Sequence, residues 1–244
     1  MHIAIAGATG TVGTSIVRLA EAAGHEVRQI SRSVGIDLTA PTTLDLSGID
    51  VVIDASGINT TSAKKSRSFF ETTTSNLLKA ARAAGVVHFV ALSIVRAAQT
   101  PCGYYAGKAR QEELIEAGLV PWTILRSTQF FEFAQQNVVE LGPWHVVPTM
   151  RCRPVAASTV AMRLLELATA APLHKAVELA GPEETSMAQV LRTRYAAQSV
   201  GCRVVEIPLP GAFGRAIRNG SILPGPTVEV AGPNCAEWAT TTSA

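Results

Sequence analysis

The first twenty residues constrain the fold more than any other stretch. His2-Ile3-Ala4-Ile5-Ala6 is a short apolar run. Gly7-Ala8-Thr9-Gly10-Thr11-Val12-Gly13 carries glycine at every third position, and Thr14 to Ala20 continues with apolar residues at helical spacing. A strand that enters a helix through so short a turn opens a βα unit, and with it an α/β fold on a parallel sheet. One glycine relieves the tight turn, a second lets a pyrophosphate approach the backbone, and a third lets the helix pack against the strand. The helix start adds unpaired N–H groups and a partial positive charge. The pattern therefore predicts that Gly7, Thr9, Gly10, Thr11, Val12 and Gly13 hold a dinucleotide.

The rest of the chain repeats the alternation. A first helix is expected over Thr11–Ala23, ended by Gly24, then a strand Glu26–Ile30. That strand ends in Ser31-Arg32-Ser33. An acid that grips a ribose 2′-hydroxyl usually lies about 20 residues past the glycine turn. Here an arginine between two serines stands at the strand end, a set suited to a 2′-phosphate. NADP(H) is expected over NAD(H). Gly35–Thr39 is expected as a short third strand that brings Asp37 and Leu38 near the adenine, with a brief turn or helix from Pro41. Ile49–Ala55 reads as a strand covered on both faces. It ends at Ala55-Ser56-Gly57, where a small loop can pass close to a ligand. Asp50 and Asp54 are expected to be structural.

Asn59–Arg67 is polar and is expected to be a mobile loop, followed by helix Phe69–Ala84, strand Val86–Leu92, helix Ala109–Ala117 and strand Trp122–Leu125. Phe130, Phe131 and Phe133 suit a pocket wall or plain core. Later elements are an edge strand Trp144–Pro148 and a helix to Thr169 capped by Ser158 or Thr159. Then come strand Ala176–Ala180, helix Ser186–Gln198, strand Arg203–Ile207, a short helix Pro210–Asn219 and a frayed end from Glu237-Trp238.

Composition narrows the partners. The chain has 244 residues, a net charge of +2 and only 5% aromatics, with no basic run, which argues against nucleic acid. No apolar run is long enough to span a membrane and no secretion signal opens the chain. Cys102, Cys152, Cys202 and Cys235 lie far apart, which fits a reducing cytoplasm and no metal site.

Ser93 falls at the C-terminal end of its strand, where ligands of such sheets bind. Tyr104 and Lys108 are four apart and share one helix face. A cation beside a phenol favours phenolate, so Tyr104 is expected below its ordinary pKa and able to move a proton.

Together Gly7-x-x-Gly10-x-x-Gly13, Ser31-Arg32-Ser33, Leu92-Ser93, Tyr104-x-x-x-Lys108 and Pro121-Trp122-Thr123-Ile124-Leu125-Arg126 resemble the short-chain dehydrogenase/reductase superfamily. Within it they are similar to the atypical NmrA-like NAD(P)-binding branch, which includes a quinone reductase. The resemblance implies a Rossmann-type, doubly wound parallel sheet in one NAD(P)-binding domain over residues 1–244. A small C-terminal substrate lobe would form from about 130–175 and 184–244. It implies Tyr104 as acid/base, Lys108 on the nicotinamide ribose, and Ser93 as the third member. The expected function is NADPH-dependent hydride transfer to a small carbonyl or quinone by a monomer or homodimer. Some members of the branch instead bind the dinucleotide as redox sensors without turnover, and a cofactor-retaining isomerase or dehydratase is a third possibility.

Overall fold

The computed structural model describes residues 1–40 and 44–241; the turn or helix expected from Pro41 begins in residues outside that range. In chain order the elements begin with β1 (His2–Ala6), α1 (Gly13–Ala22), β2 (Glu26–Ile30), β3 (Val51–Asp54), α2 (Ala63–Ala83), β4 (His88–Ile94), α3 (Tyr105–Glu116) and β5 (Trp122–Ser127). They continue with α4 (Phe131–Gln136), β6 (Val139–Leu141), β7 (Trp144–Pro148), β8 (Arg151–Cys152), α5 (Ala157–Thr169), β9 (Ala176–Ala180) and β10 (Thr185–Ser186). The last are α6 (Met187–Ala197), β11 (Arg203–Ile207), α7 (Gly211–Asn219), β12 (Glu229–Val230) and α8 (Cys235–Thr240).

The central sheet has seven strands in the order β12-β9-β5-β4-β3-β1-β2. β1 lies between β2 and β3, and both pairings are parallel, as is β3 with β4. Connections between parallel neighbours must cross over, and α1 and α2 do so. Ile3, Ile5, Val51, Val52, Ile53, Phe89 and Val90 are fully buried, as expected for strands covered on both faces. The α/β doubly wound expectation holds.

Two compact units can be distinguished: residues 1–126 with 160–177, and residues 127–159 with 178–244. The first carries the glycine turn and most of the sheet. Among the described residues, no helix is long and apolar enough to cross a membrane.

Several elements differ from expectation. Residues 35–39 are not a strand. A 3-10 turn over Arg32–Val34 ends at Gly35 with φ +83°. Asp37 then folds back, its carboxylate accepting from the Thr39 N–H at 2.9 Å and the Thr39 hydroxyl at 2.7 Å. That side-chain turn competes with extended pairing. The polar stretch expected as a mobile loop is mostly helix: α2 starts at Ala63, and Ser62 caps it by accepting from Lys65 N–H at 3.3 Å. Its first turn lacks an apolar stripe, so periodicity missed it. β7 is not an edge strand but the middle of a three-stranded sheet, β11-β7-β6. β11 joins it from some sixty residues on, beyond the reach of local pattern. α5 begins at Ala157, ahead of the Ser158 and Thr159 expected to cap it.

The expected frayed end is a helix. Asn234 and Glu237 form a capping box at the start of α8. Trp238 stacks on the buried Phe131 with ring centroids 4.9 Å apart, and its indole N–H donates to Glu132 at 3.3 Å. The buried Arg194 of α6 donates to the carbonyls of Ala239 and Thr241. Phe131 is thus core. Trp238→Ala is expected to lower the unfolding free energy by about 3–4 kcal/mol. Trp144→Ala, at a 43% exposed site, should cost about 0.5 kcal/mol; urea denaturation of both variants checks the contrast.

Candidate functional site

The glycine turn is held between two strands. Gly7 N–H donates to Ile30 O at 2.9 Å, and Gly10 N–H to Gly7 O at 2.9 Å. Gly7 has φ +76°, and a Cβ added there would lie 2.6 Å from Ala55 O. A Cβ on Gly13 would lie 2.0 Å from Gly7 O. The turn therefore packs directly on the end of β3, where Ala55, Ser56 and Gly57 follow. The start of α1 has no side-chain cap and no acid in its first turn. Thr14 N–H donates to Gly10 O at 3.0 Å, and the dipole of the helix start favours an anion there. The buried Ser56 hydroxyl has no hydrogen-bond partner among the described residues. A helix start with no acidic side chain, a glycine-lined approach and an orphaned hydroxyl fit the diphosphate of a dinucleotide.

Thr9, Ser31 and Ser33 meet beside the turn. Ser33 Oγ donates to Thr9 Oγ1 at 3.3 Å, and Ser31 and Ser33 hydroxyls lie 2.8 Å apart. Arg32 is exposed between them. Asp37 is held below its ordinary pKa, mainly by its Thr39 hydrogen bonds, with a lesser effect of Arg32. Leu38 packs on the hydrophobic core and its carbonyl accepts from Asn76 at 2.8 Å.

The second group of expected residues lies at the ends of β3 and β4 and the start of α3. α3 approaches α2 at Gly107, where a Cβ would lie 2.1 Å from Ser66 Oγ and 2.6 Å from a Phe70 ring carbon. Glycine inside a helix costs about 1 kcal/mol relative to alanine, and that cost was a usable signal of close approach. The approach places Phe70 beside Lys108 and Tyr104. Lys108 Nζ lies 4.2 Å from the Phe70 ring centroid, and the Phe70 and Tyr104 rings meet edge to face at 5.5 Å. The Tyr104 hydroxyl reaches Gly57, since a Cβ there would sit 3.3 Å from it.

Lys108 is only 3% exposed. Its Nζ donates to Leu92 O at 2.7 Å and to Gln111 Oε1 at 2.9 Å. Gln111 Nε2 in turn donates to Asp54 Oδ2 at 2.8 Å. Asp54 is fully buried, and its other oxygen accepts from Ser56 N–H at 3.0 Å. Burial lowers Lys108 to about 8, against an upward pull from Asp54 and Glu112.

The expected lowering of Tyr104 does not occur. Burial and the negative charge of Asp54 push its phenol above the ordinary value. The shared helix face was right, but the ammonium turns to Leu92 O and the Phe70 face, and lies 5.9 Å from the Tyr104 centroid. Nor is Ser93 free to donate. Its hydroxyl donates to Glu112 Oε1 at 2.5 Å. Glu112 also takes a bidentate contact from Arg126, with Nη2 to Oε2 at 2.6 Å and Nε to Oε1 at 3.0 Å. Asp54, Gln111 and Glu112 were missed as site residues. Gln111 and Glu112 fall three and four positions after Lys108, a helix-neighbour spacing that could have flagged them.

Residues 7–168 match the family described as NAD(P)H-binding. The chain belongs to that family. Its sequence is 27% identical over 236 residues to a photosystem II assembly factor of Synechocystis, covering 86% of this chain and 71% of the relative. Its fold is similar to that of a short-chain dehydrogenase/reductase superfamily protein from Agrobacterium tumefaciens with bound NAD. The TM-score is 0.67 at 18% identity, covering 98% of this chain and 96% of the other. It is also similar to an NADPH-dependent quinone oxidoreductase from Escherichia coli, with a TM-score of 0.63 at 17% identity and 98% of each chain covered. The expected fold therefore holds, and the chain belongs to an NAD(P)H-binding family, which does not single out NAD or NADP.

Lys108 generates a pH prediction. Its folded value lies below the ordinary 10.5, so the unfolded chain binds the proton more tightly. Stability from this group is therefore least below about pH 8 and rises as pH climbs from there toward 10.5. Relative to Lys108→Met, the natural protein should gain about 1–2 kcal/mol between roughly pH 8 and 10. Urea melts at the two pH values check this; a falling difference would contradict it.

Proposed function

We propose that the protein is a cytoplasmic NADPH-dependent oxidoreductase that reduces a small carbonyl or quinone. The observation that most supports this reading is Tyr104, whose hydroxyl reaches Gly57 at the strand end beside the glycine turn with the Lys108 ammonium 5.9 Å from its ring centroid. Ser93, at the end of β4, is bonded to Glu112 one helical turn beyond Lys108. NADPH, when bound, supplies a hydride for the substrate carbon. Gly7, Thr9, Gly10, Thr11, Val12 and Gly13 would hold its diphosphate, and Ala55, Ser56 and Gly57 would flank it. Asp37 and Leu38 would lie toward its adenine. Arg32, with the Ser31 and Ser33 hydroxyls, offers a fork and two donors to a 2′-phosphate.

Tyr104 gives its proton to the substrate oxygen, so that one hydride and one proton turn a carbonyl into an alcohol. A phenol held above its ordinary pKa stays protonated until a strongly basic oxygen develops beside it. That suits the reductive direction. Lys108, implied by the resemblance on the nicotinamide ribose, is 3% exposed with its ammonium given to Leu92 O and Gln111, so it would act at this end of the site through its positive charge and not by direct contact. Ser93 has committed its proton to Glu112, so its oxygen is an acceptor. It would orient a donor group, not stabilise an oxyanion.

A second reading, a dinucleotide sensor without turnover, draws on the relative named as an assembly factor. Cofactor absorbance with a panel of quinones, aldehydes and ketones separates the two. NADPH consumption supports the reductase, and tight binding without turnover supports the sensor. Tyr104→Phe is expected to lower turnover about 10²-fold or more, with NADPH affinity changed less than about threefold. Arg32→Ala should weaken NADPH by about tenfold and NADH by less than about twofold, the size of one charge-assisted contact. Fluorescence titration of both cofactors checks it, and equal weakening would contradict the 2′-phosphate role.

A further inference from the structure

Asp54 and Gln111, the buried links that reach Lys108, have no place in the roles so far described. Asp54 is a fully buried carboxylate that makes two hydrogen bonds, to Ser56 N–H and to the Gln111 amide. A buried charge without a direct counter-ion is costly to the fold. Gln111, itself fully buried, is aligned head to tail: its NH₂ donates to the carboxylate and its oxygen accepts from the ammonium. An amide in this place lets one charge act on the other while keeping them apart. A direct Asp54–Lys108 pair would draw the ammonium off Leu92 O and away from the Phe70 and Tyr104 rings.

We propose that Asp54 and Gln111 are positioning residues for the proposed reduction, Asp54 acting through the Gln111 amide to hold the Lys108 ammonium at the Leu92 carbonyl beside Tyr104. The inference rests on the reductase reading for its catalytic part. Its electrostatic part stands on this geometry alone. The charged or titratable groups around Lys108 are Asp54 from β3, Tyr104 just before α3, and Glu112 of α3, which is ion-paired with Arg126 of β5. α2 presents the Phe70 ring, and β4 the Leu92 carbonyl. Asp54 favours the ammonium and disfavours the Tyr104 phenolate. Removing its charge therefore makes both groups lose their protons at lower pH.

The test uses the full chain with NADPH and the best substrate of the carbonyl and quinone panel. Asp54→Asn keeps shape and removes the charge. Gln111→Met keeps volume and removes both hydrogen bonds. Each should move the alkaline limb of kcat down by about one pH unit, so that kcat at pH 8 drops several-fold, while the KM for NADPH stays within about threefold. The double variant Asp54→Asn with Gln111→Glu moves the carboxylate next to Lys108 and should return the limb to its natural position or above. Rescue of that kind is not expected of residues that only support the fold.

Lysine NMR titration of Lys108 in the cofactor-free protein supplies the second readout. Its midpoint should fall in both single variants and recover in the double. An unmoved midpoint would overturn the proposal. A moved midpoint with an unmoved kcat limb would overturn the positioning role. If the natural protein turns over nothing, the reductase reading fails, the catalytic part falls with it, and the Lys108 midpoint alone decides the electrostatic part.

Discussion

Desolvation of one lysine organises the polar interior of the nucleotide-binding unit. An ammonium 3% exposed has three N–H donors and almost no water to satisfy them. The fold answers with the Leu92 carbonyl, the Gln111 amide oxygen and the face of Phe70. Each answer commits a different element: the C-terminal end of strand β4, the next turn of α3, and the core face of α2. Gly107 is what allows α2 and α3 to close near enough for the third. Gln111 then needs a partner for its own NH₂, and Asp54 at the end of β3 provides it. The polar chain is thus a series of obligations that begins with one buried charge.

The sequence exposed the scaffold of this arrangement but not its wiring. Gly7, Gly10 and Gly13 were legible because a strand, a turn and a helix dictate their spacing. Tyr104 and Lys108 were legible because a four-residue step on a helix is a shared face. The direction in which Lys108 points was not legible, since the helix period fixes where a side chain starts and not where its last carbon ends. Nor does the helix period report burial, which with the Asp54 charge reverses the expected lowering of the Tyr104 pKa. Asp54 read as a structural end of strand, yet its charge adds to the burial that lifts Tyr104. No pattern within β3 says that a glutamine 57 positions later faces it.

Turn chemistry and distant pairing account for the other departures. Asp37 and Thr39 alternate with Ile36 and Leu38 as a strand would, but a short acid two residues before a hydroxyl can close on itself. β7 became a central strand only because β11 returned to it. α8 carried its own signal in Asn234 and Glu237, the reciprocal cap, and its Trp238 shows why such a short helix is worth docking.

The closeness of α2 to α3 has a consequence for reactivity. A lysine whose amine is neutral in appreciable fraction near pH 8 is a nucleophile, and reagents that acylate amines would attack it if they could reach it. Phe70 and the Ser66–Gly107 contact stand in the way. Acylation of Lys108 would then proceed only in moments when α2 lifts from α3, and its rate would count those openings. The group that fixes the interior in place is also a clock for how often that interior comes apart.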